Sequence, residues 1–136
     1  MKKAMVSIFL VLAMAGFASA AEPAHSHTMT PEMRRQHNAM SSANKYWQAF
    51  KKSLQESDFK KTGRSLEGMQ KSLADLEGFK PHKNAERMED FREQARTFKA
   101  NLVKVAHAVK GRDKAQAESL AAKIDTSCLE CHHAFR

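Results

Sequence analysis

Cysteine is scarce in this chain: two residues of 136, both within the last nine. That excludes a framework of several disulfides. Long apolar runs are scarce as well. The one clear run, Val6 to Phe17, is too short to span a bilayer with its flanks, so no membrane span is expected. No stretch alternates apolar and polar side chains at the period of a strand, which excludes a sheet. Glycine and proline number only five and three, and tyrosine and tryptophan one each. What remains is helix-forming sequence with short connections.

The start of the chain has the pattern of an export signal. Lys2 and Lys3 precede the apolar run, and Ala18-Ser19-Ala20 is a small-residue cleavage site. Residues 1–20 are therefore expected to be a signal peptide cleaved near Ala20, which places the mature chain in the periplasm. Residues 21–29 are expected to be a disordered lead-in whose His25 and His27 are inert or a weak adventitious metal site. Residues 30–136 form the domain.

Four amphipathic helices can be read along that domain. Thr30-Pro31-Glu32 is a helix start: a capping hydroxyl, proline in the first turn, then an acid at the positive helix end. Met33, Met40, Trp47 and Leu54 recur every seven residues, with Ala43 and Phe50 between them, so one stripe runs to about Gln55. A second helix from about Ser57-Asp58 carries the rows Phe59, Leu66, Leu73 and Thr62, Met69, Leu76, and ends at Phe79-Lys80-Pro81. Gly63 and Gly68 within it mark a close helix–helix approach. In the third, Met88, Phe91, Ala95, Phe98, Leu102, Val105 and Val109 alternate steps of three and four up to Gly111. Asp113 to Gln116 resembles a capping box opening the fourth, where Ala117, Leu120, Ile124, Cys128, Cys131 and Phe135 face inward. The expected fold is all-α: an antiparallel up-down-up-down four-helix bundle with helices of roughly 22 to 27 residues.

The chemistry lies at the end of the fourth helix. Cys128-Leu129-Glu130-Cys131-His132 matches Cys-x-x-Cys-His, the attachment pattern of c-type haem. Two thiols at this spacing can add across the two vinyl groups of one porphyrin, and the following imidazole can take one axial position on iron. A disulfide between Cys128 and Cys131 is the competing reading for an exported protein. It would close too small a loop to stabilise much and leaves His132 unexplained. One covalently attached haem c, with its iron, is the expected cofactor. Its attachment outside the bacterial cytoplasm agrees with the leader.

Antiparallel topology then predicts the pocket. The bundle end that holds the end of helix four also holds the start of one, the end of two and the start of three. The expected lining is Met33, His37 and Met40, then Met69, Leu73, Leu76 and Phe79, then Met88 and Phe91. His132 is the proximal iron ligand. Met40, in the apolar row, is the favoured distal ligand and His37, flanking that row, the weaker one; Met33 comes last. His133 points about 100° away from His132 around the helix. Arg136, one turn after His132, is a candidate for pairing a haem propionate or for standing beside the proximal pocket. Arg34, Arg35, Lys80, Lys83 and Arg87 share this end, mostly as solvated charges with one or two of them pairing the propionates; Arg35 is the pocket candidate among them.

Lys and Arg number 23 against 15 acids, a net charge of +8. The leader carries two of those lysines and no acid, so the mature chain is at +6, and two propionates would bring it to about +4. The excess is spread along the helices rather than gathered in one run. That favours a solvated surface over nucleic acid and leaves a mild preference for acidic periplasmic redox partners.

An exported helical bundle whose haem motif ends the chain resembles the class II cytochromes c, the cytochrome c-prime group and its low-spin, methionine-ligated relatives. Cys128 to Arg136, reading Cys-x-x-Cys-His-x-x-Phe-Arg, is similar to that family's terminal signature. Arg35-Gln36 followed by Met40 resembles its first-helix pattern, in which an Arg-Gln pair precedes the residue facing the distal side of the haem. The spacing here is one residue longer, which counts against carrying the distal role over to Met40. The loops are shorter than in the c-prime group, and its large distal leucine or aromatic has no obvious counterpart; these two departures lean toward the methionine-ligated branch. The resemblance also implies a homodimer through the first two helices as an option, which the exposed faces neither demand nor forbid.

Two functions compete on this reading. The first is a monohaem electron carrier, with iron held by His132 and Met40, and no enzyme. The alternative is a five-coordinate c-prime-like protein that binds nitric oxide or another small gas. A peroxidase is disfavoured, since no distal acid–base pair is visible beyond His37.

Overall fold

A computed structural model of the chain describes residues 29–136. The expected leader, residues 1–20, and the lead-in with His25 and His27 lie outside the described residues, apart from Met29. The order is α1 (Pro31–Gln55), α2 (Phe59–Ser72), 3-10 turns at Leu76–Gly78 and Ala85–Arg87, α3 (Met88–Lys110) and α4 (Lys114–Phe135). The four helices pack as a bundle, with α1 closest to α2 and α3 closest to α4. No helix among the described residues is long and apolar enough to cross a membrane.

The helix ends follow from local chemistry. Thr30 Oγ1 accepts from the Met33 N–H at 3.1 Å with Pro31 in the first turn, and Asp58 Oδ1 accepts from the Lys61 N–H at 3.0 Å. At α4, Asp113 Oδ1 accepts from the Gln116 N–H at 2.9 Å. The Asp113 N–H is taken by the Ala108 carbonyl at 2.9 Å, so only half of the expected capping box forms there. Gly111 caps α3 with a right-handed φ of −74°. The left-handed residue of that turn is Arg112, at φ 56°.

One expectation about length is corrected: α2 is a 14-residue helix, not one of 22 or more. Leu73 leaves helical geometry, and Asp75 starts a turn in which the Gly78 N–H reaches the Asp75 carbonyl at 2.9 Å. Aspartate competes with the backbone for helical hydrogen bonds, glycine has low helicity, and Pro81 cannot continue a helix. Breaking the helix does not expose its apolar rows, since Leu73 and Leu76 are both buried.

The core runs the length of the bundle. Phe50, Val105, Ala117 and Ile124 are fully covered, with Trp47, Leu54, Leu66, Met69, Phe91, Leu102 and Phe135 around them. Thr62, in an inner row of α2, is also fully buried; its hydroxyl lies 3.0 Å from that of buried Ser53 and 2.7 Å from the Asp58 carbonyl. A buried hydroxyl needs such partners. Gly68 is a point of close approach between α1 and α2, because a Cβ there would overlap the Tyr46 ring. Gly63 is not such a point: a Cβ there would meet only Val109, at an ordinary 3.9 Å.

Candidate functional site

The fourth helix carries Ile124, Cys128, Cys131 and Phe135 on one side, at steps of four, three and four. Ile124 and Phe135 are buried, while the two cysteines between them are half-buried against the core, together with Met40, Phe79 and Met88. Both thiols are free. The stretch is therefore an inward helix face whose covering opens at the two sulfurs.

Electrostatics keep those sulfurs protonated. Burial pushes the Cys128 thiol up to about 11, and the neighbouring Asp125 carboxylate and Cys131 add to the rise against the opposing pull of Lys51. Burial raises Cys131 as well. His132 is exposed, yet loss of water lowers its pKa below the usual imidazole value, and the Arg136 charge adds to the fall. The imidazole is thus neutral near pH 7, the form that can donate a lone pair to a metal. Arg136 itself is exposed, its N–H bonded to the His132 carbonyl at 3.1 Å.

The register of α1 against α4 is fixed one turn from Cys128. Trp47 Nε1 donates to Asp125 Oδ1 at 2.6 Å, and Lys51 Nζ pairs with the same oxygen at 3.2 Å. Lys51 also lies over the Trp47 ring, 5.9 Å from its centre, and that ring stacks on Phe50 at 4.6 Å. The helices run antiparallel, so each turn beyond Asp125 in α4 corresponds to one turn before Trp47 in α1. Counted at about 1.5 Å per residue from the Trp47–Asp125 bond, His132 would come level with Met40 seven residues on, and Phe135 with His37 ten residues on.

The end of α4 is held by the connector between α2 and α3. The Phe135 carbonyl accepts the backbone N–H groups of His82 at 2.9 Å and Lys83 at 3.2 Å. Asn84, in the left-handed conformation at φ 53°, donates Nδ2 to the Ala134 carbonyl at 2.7 Å. These bonds satisfy carbonyls that a helix C-terminus otherwise leaves open. Arg87 covers the Phe135 ring at 5.7 Å and pairs with Asp90 at 2.9 Å; Phe91 meets the same ring edge-on at 5.4 Å. Lys80 lies 3.7 Å from Glu32.

The residues singled out from the sequence divide in two. Met40, Phe79, Met88, Cys128 and Cys131 are half-buried, while Met69, Leu73, Leu76 and Phe91 are closed into the core. Leu73 also lines a groove of about 150 Å³ with Gln70, Lys99, Leu102 and Val103, so it belongs to the α2–α3 seam. A larger groove of about 420 Å³ lies further along that seam, around Phe59, Leu66 and Val109, away from the cysteines. Met33 is half-buried, and His37 and Arg35 are exposed. Among the basic residues, Lys80 and Arg87 have protein partners, as above. Sequence reading missed the Trp47–Lys51–Asp125 cluster, the connector's grip on α4, and His82, whose ring centre is 5.5 Å from that of His37. An indole N–H in a core stripe needs an acceptor, and that was the one available hint.

The donor chemistry of this face suits a covalently held haem: two free thiols one turn apart on one side of a helix, with a neutral imidazole next in sequence. Comparison with protein-family models, with curated proteins and with solved structures finds no match.

Proposed function

We propose that this protein is an exported monohaem c-type cytochrome that carries electrons. Haem would be bound through Cys128 and Cys131, with His132 as the proximal ligand and Met40 as the distal one. When bound, the haem supplies a one-electron iron couple; the chain's own residues do the rest. The observation that carries the reading is the Cys-x-x-Cys-His stretch lying on the half-covered face of α4 with both sulfurs free.

Each residue then has a defined task. The raised pKa of Cys128 keeps a thiol, rather than a thiolate, beside Cys131, and so slows disulfide closure before attachment. The connector's bonds to Ala134 and Phe135 hold the helix end and, with it, the orientation of His132. The Trp47–Asp125 bond holds α1 against α4, and seven residues on from it Met40 would face His132 across the haem. A thioether on the distal side favours low-spin iron at a raised potential, which suits electron transfer. Leu129 is 72 % exposed between the two cysteines and offers an apolar centre for transient docking of a periplasmic redox partner.

The test is export from a host able to mature c-type cytochromes, followed by intact mass and optical spectra. The expected mass is that of the processed chain plus one haem, with low-spin bands in both oxidation states. A mass equal to the bare chain would overturn the whole reading. A high-spin spectrum with rapid nitric oxide uptake would replace the carrier by the five-coordinate gas-binding alternative.

A further inference from the structure

His37 and His82 have no part in the haem site as proposed, yet they come together from distant parts of the chain. His37 projects from the second turn of α1, and His82 from the connector that grips α4. Their ring centres are 5.5 Å apart, the planes tilted by 59°, and both residues are exposed. We propose that this pair binds a divalent transition metal ion of the zinc, nickel or copper class, with water completing the coordination.

The spacing fits that chemistry. With a metal–nitrogen bond of about 2.0–2.1 Å, each ring centre lies about 3.2 Å from the metal, so two imidazoles at a tetrahedral angle have centres roughly 5.2 Å apart. The observed separation is close to that value, and tilted rings relieve crowding that stacked ones would suffer. Imidazole nitrogen selects zinc, nickel and copper over magnesium and calcium, which prefer oxygen. Both backbones are held in place without the metal. His37 sits in a helix whose start is capped by Thr30. The His82 N–H is bonded to the Phe135 carbonyl at 2.9 Å, and Lys80 approaches Glu32 of α1 at 3.7 Å. The ion then has two exposed imidazoles to order and no backbone, which allows a site of modest affinity. The ion would join α1 to the connector, and through it to the end of α4.

The site does not depend on the haem reading, and zinc, being colourless and redox-inert, leaves haem bands readable. Zinc chloride titrated calorimetrically at neutral pH into the exported full-length mature protein, with Cys128 and Cys131 replaced by serine if its mass shows no haem so that free thiols do not take the ion, should give one ion per chain. His37→Ala and His82→Ala should each weaken binding by roughly tenfold or more, and His82→Gln should do the same with the polar surface retained. A His25→Ala/His27→Ala variant should bind as the parent does. Zinc should raise the melting temperature of the parent and not that of His82→Ala. Undiminished affinity in His82→Ala, or loss confined to the His25/His27 variant, would overturn the proposal. So would a changed optical spectrum in His37→Ala, which would put that imidazole on iron.

Discussion

Replacing Asp125 by alanine probes both the fold and the site, because one carboxylate oxygen joins α1 to α4 beside the cysteines. It accepts from Trp47 Nε1 at 2.6 Å and from Lys51 Nζ at 3.2 Å. A hydrogen bond to a charged acceptor contributes roughly 1.5–3 kcal/mol when its buried partner is left unsatisfied. Trp47 is only 4 % exposed, so its orphaned N–H cannot readily turn to water. The Lys51 pair counts for much less: its side chains are 35 % and 44 % exposed, and solvent screening leaves about 0.5 kcal/mol. The expected loss is about 2–3 kcal/mol, a substantial fraction of a small domain's stability. For a domain of this size that corresponds to a fall in Tm of roughly 10 °C or more. Thermal unfolding followed by circular dichroism on the exported protein reads it directly. Asp125→Asn keeps an acceptor and drops the charge, and should fall between parent and alanine variant. If Met40 is on iron, the loosened register should also show as partial conversion to high spin in the Asp125→Ala spectrum. A Tm within about 2 °C of the parent would refute the clasp.

Met40→Ala should turn a low-spin spectrum into a high-spin one and lower the midpoint potential; an unchanged spectrum would remove Met40 as a ligand. In the haem-free chain, Cys128 held at about 11 instead of 9.0 should alkylate at pH 8 about a hundredfold more slowly than an exposed cysteine, since the thiolate is the nucleophile. Peptide mapping after timed iodoacetamide treatment checks this, and matching rates would contradict the burial. Asn84→Ala loses the bond to Ala134 and keeps an unfavourable left-handed backbone, so it should cost about 1–3 kcal/mol in urea unfolding, whereas Asn84→Gly should cost less. The order of the two variants is the critical result. In haem-free protein the His132 resonance should titrate below its unfolded midpoint, and Arg136→Ala should move it partway up. A lowered imidazole pKa makes the unfolded chain the better proton acceptor. Its contribution to stability is therefore present above the unfolded value, near 6.5, and lost as pH falls through and below it. An unshifted proton NMR titration would remove that contribution.

Much of the architecture is legible in local sequence. The Thr30, Asp58 and Asp113 caps, the seven-residue recurrence of Met33, Met40, Trp47 and Leu54, and the three-and-four alternation of α3 each depend on residues within a turn or two. Such periodicity fixes which residues form a helix and which face is apolar, and the buried side chains follow those rows. The cysteine–histidine spacing is local too, and it names a chemistry before any packing is considered. Where α2 stops is less legible, because its apolar rows continue through Leu73 and Leu76 after the helix has ended.

What the chain alone could not determine is which distant groups meet. Trp47 and Asp125 are separated by 78 positions, and Asn84 and Ala134 by 50. Nothing in either local pattern names the other partner. Tertiary packing chose the sliding register of α1 on α4, through Trp47 and Lys51 on Asp125. It also folded the connector over the last carbonyls of α4 and carried His82 to His37. The physical reason is that helical periodicity specifies direction around an axis but not position along a partner's axis. That second coordinate comes only from long-range hydrogen bonds and shape.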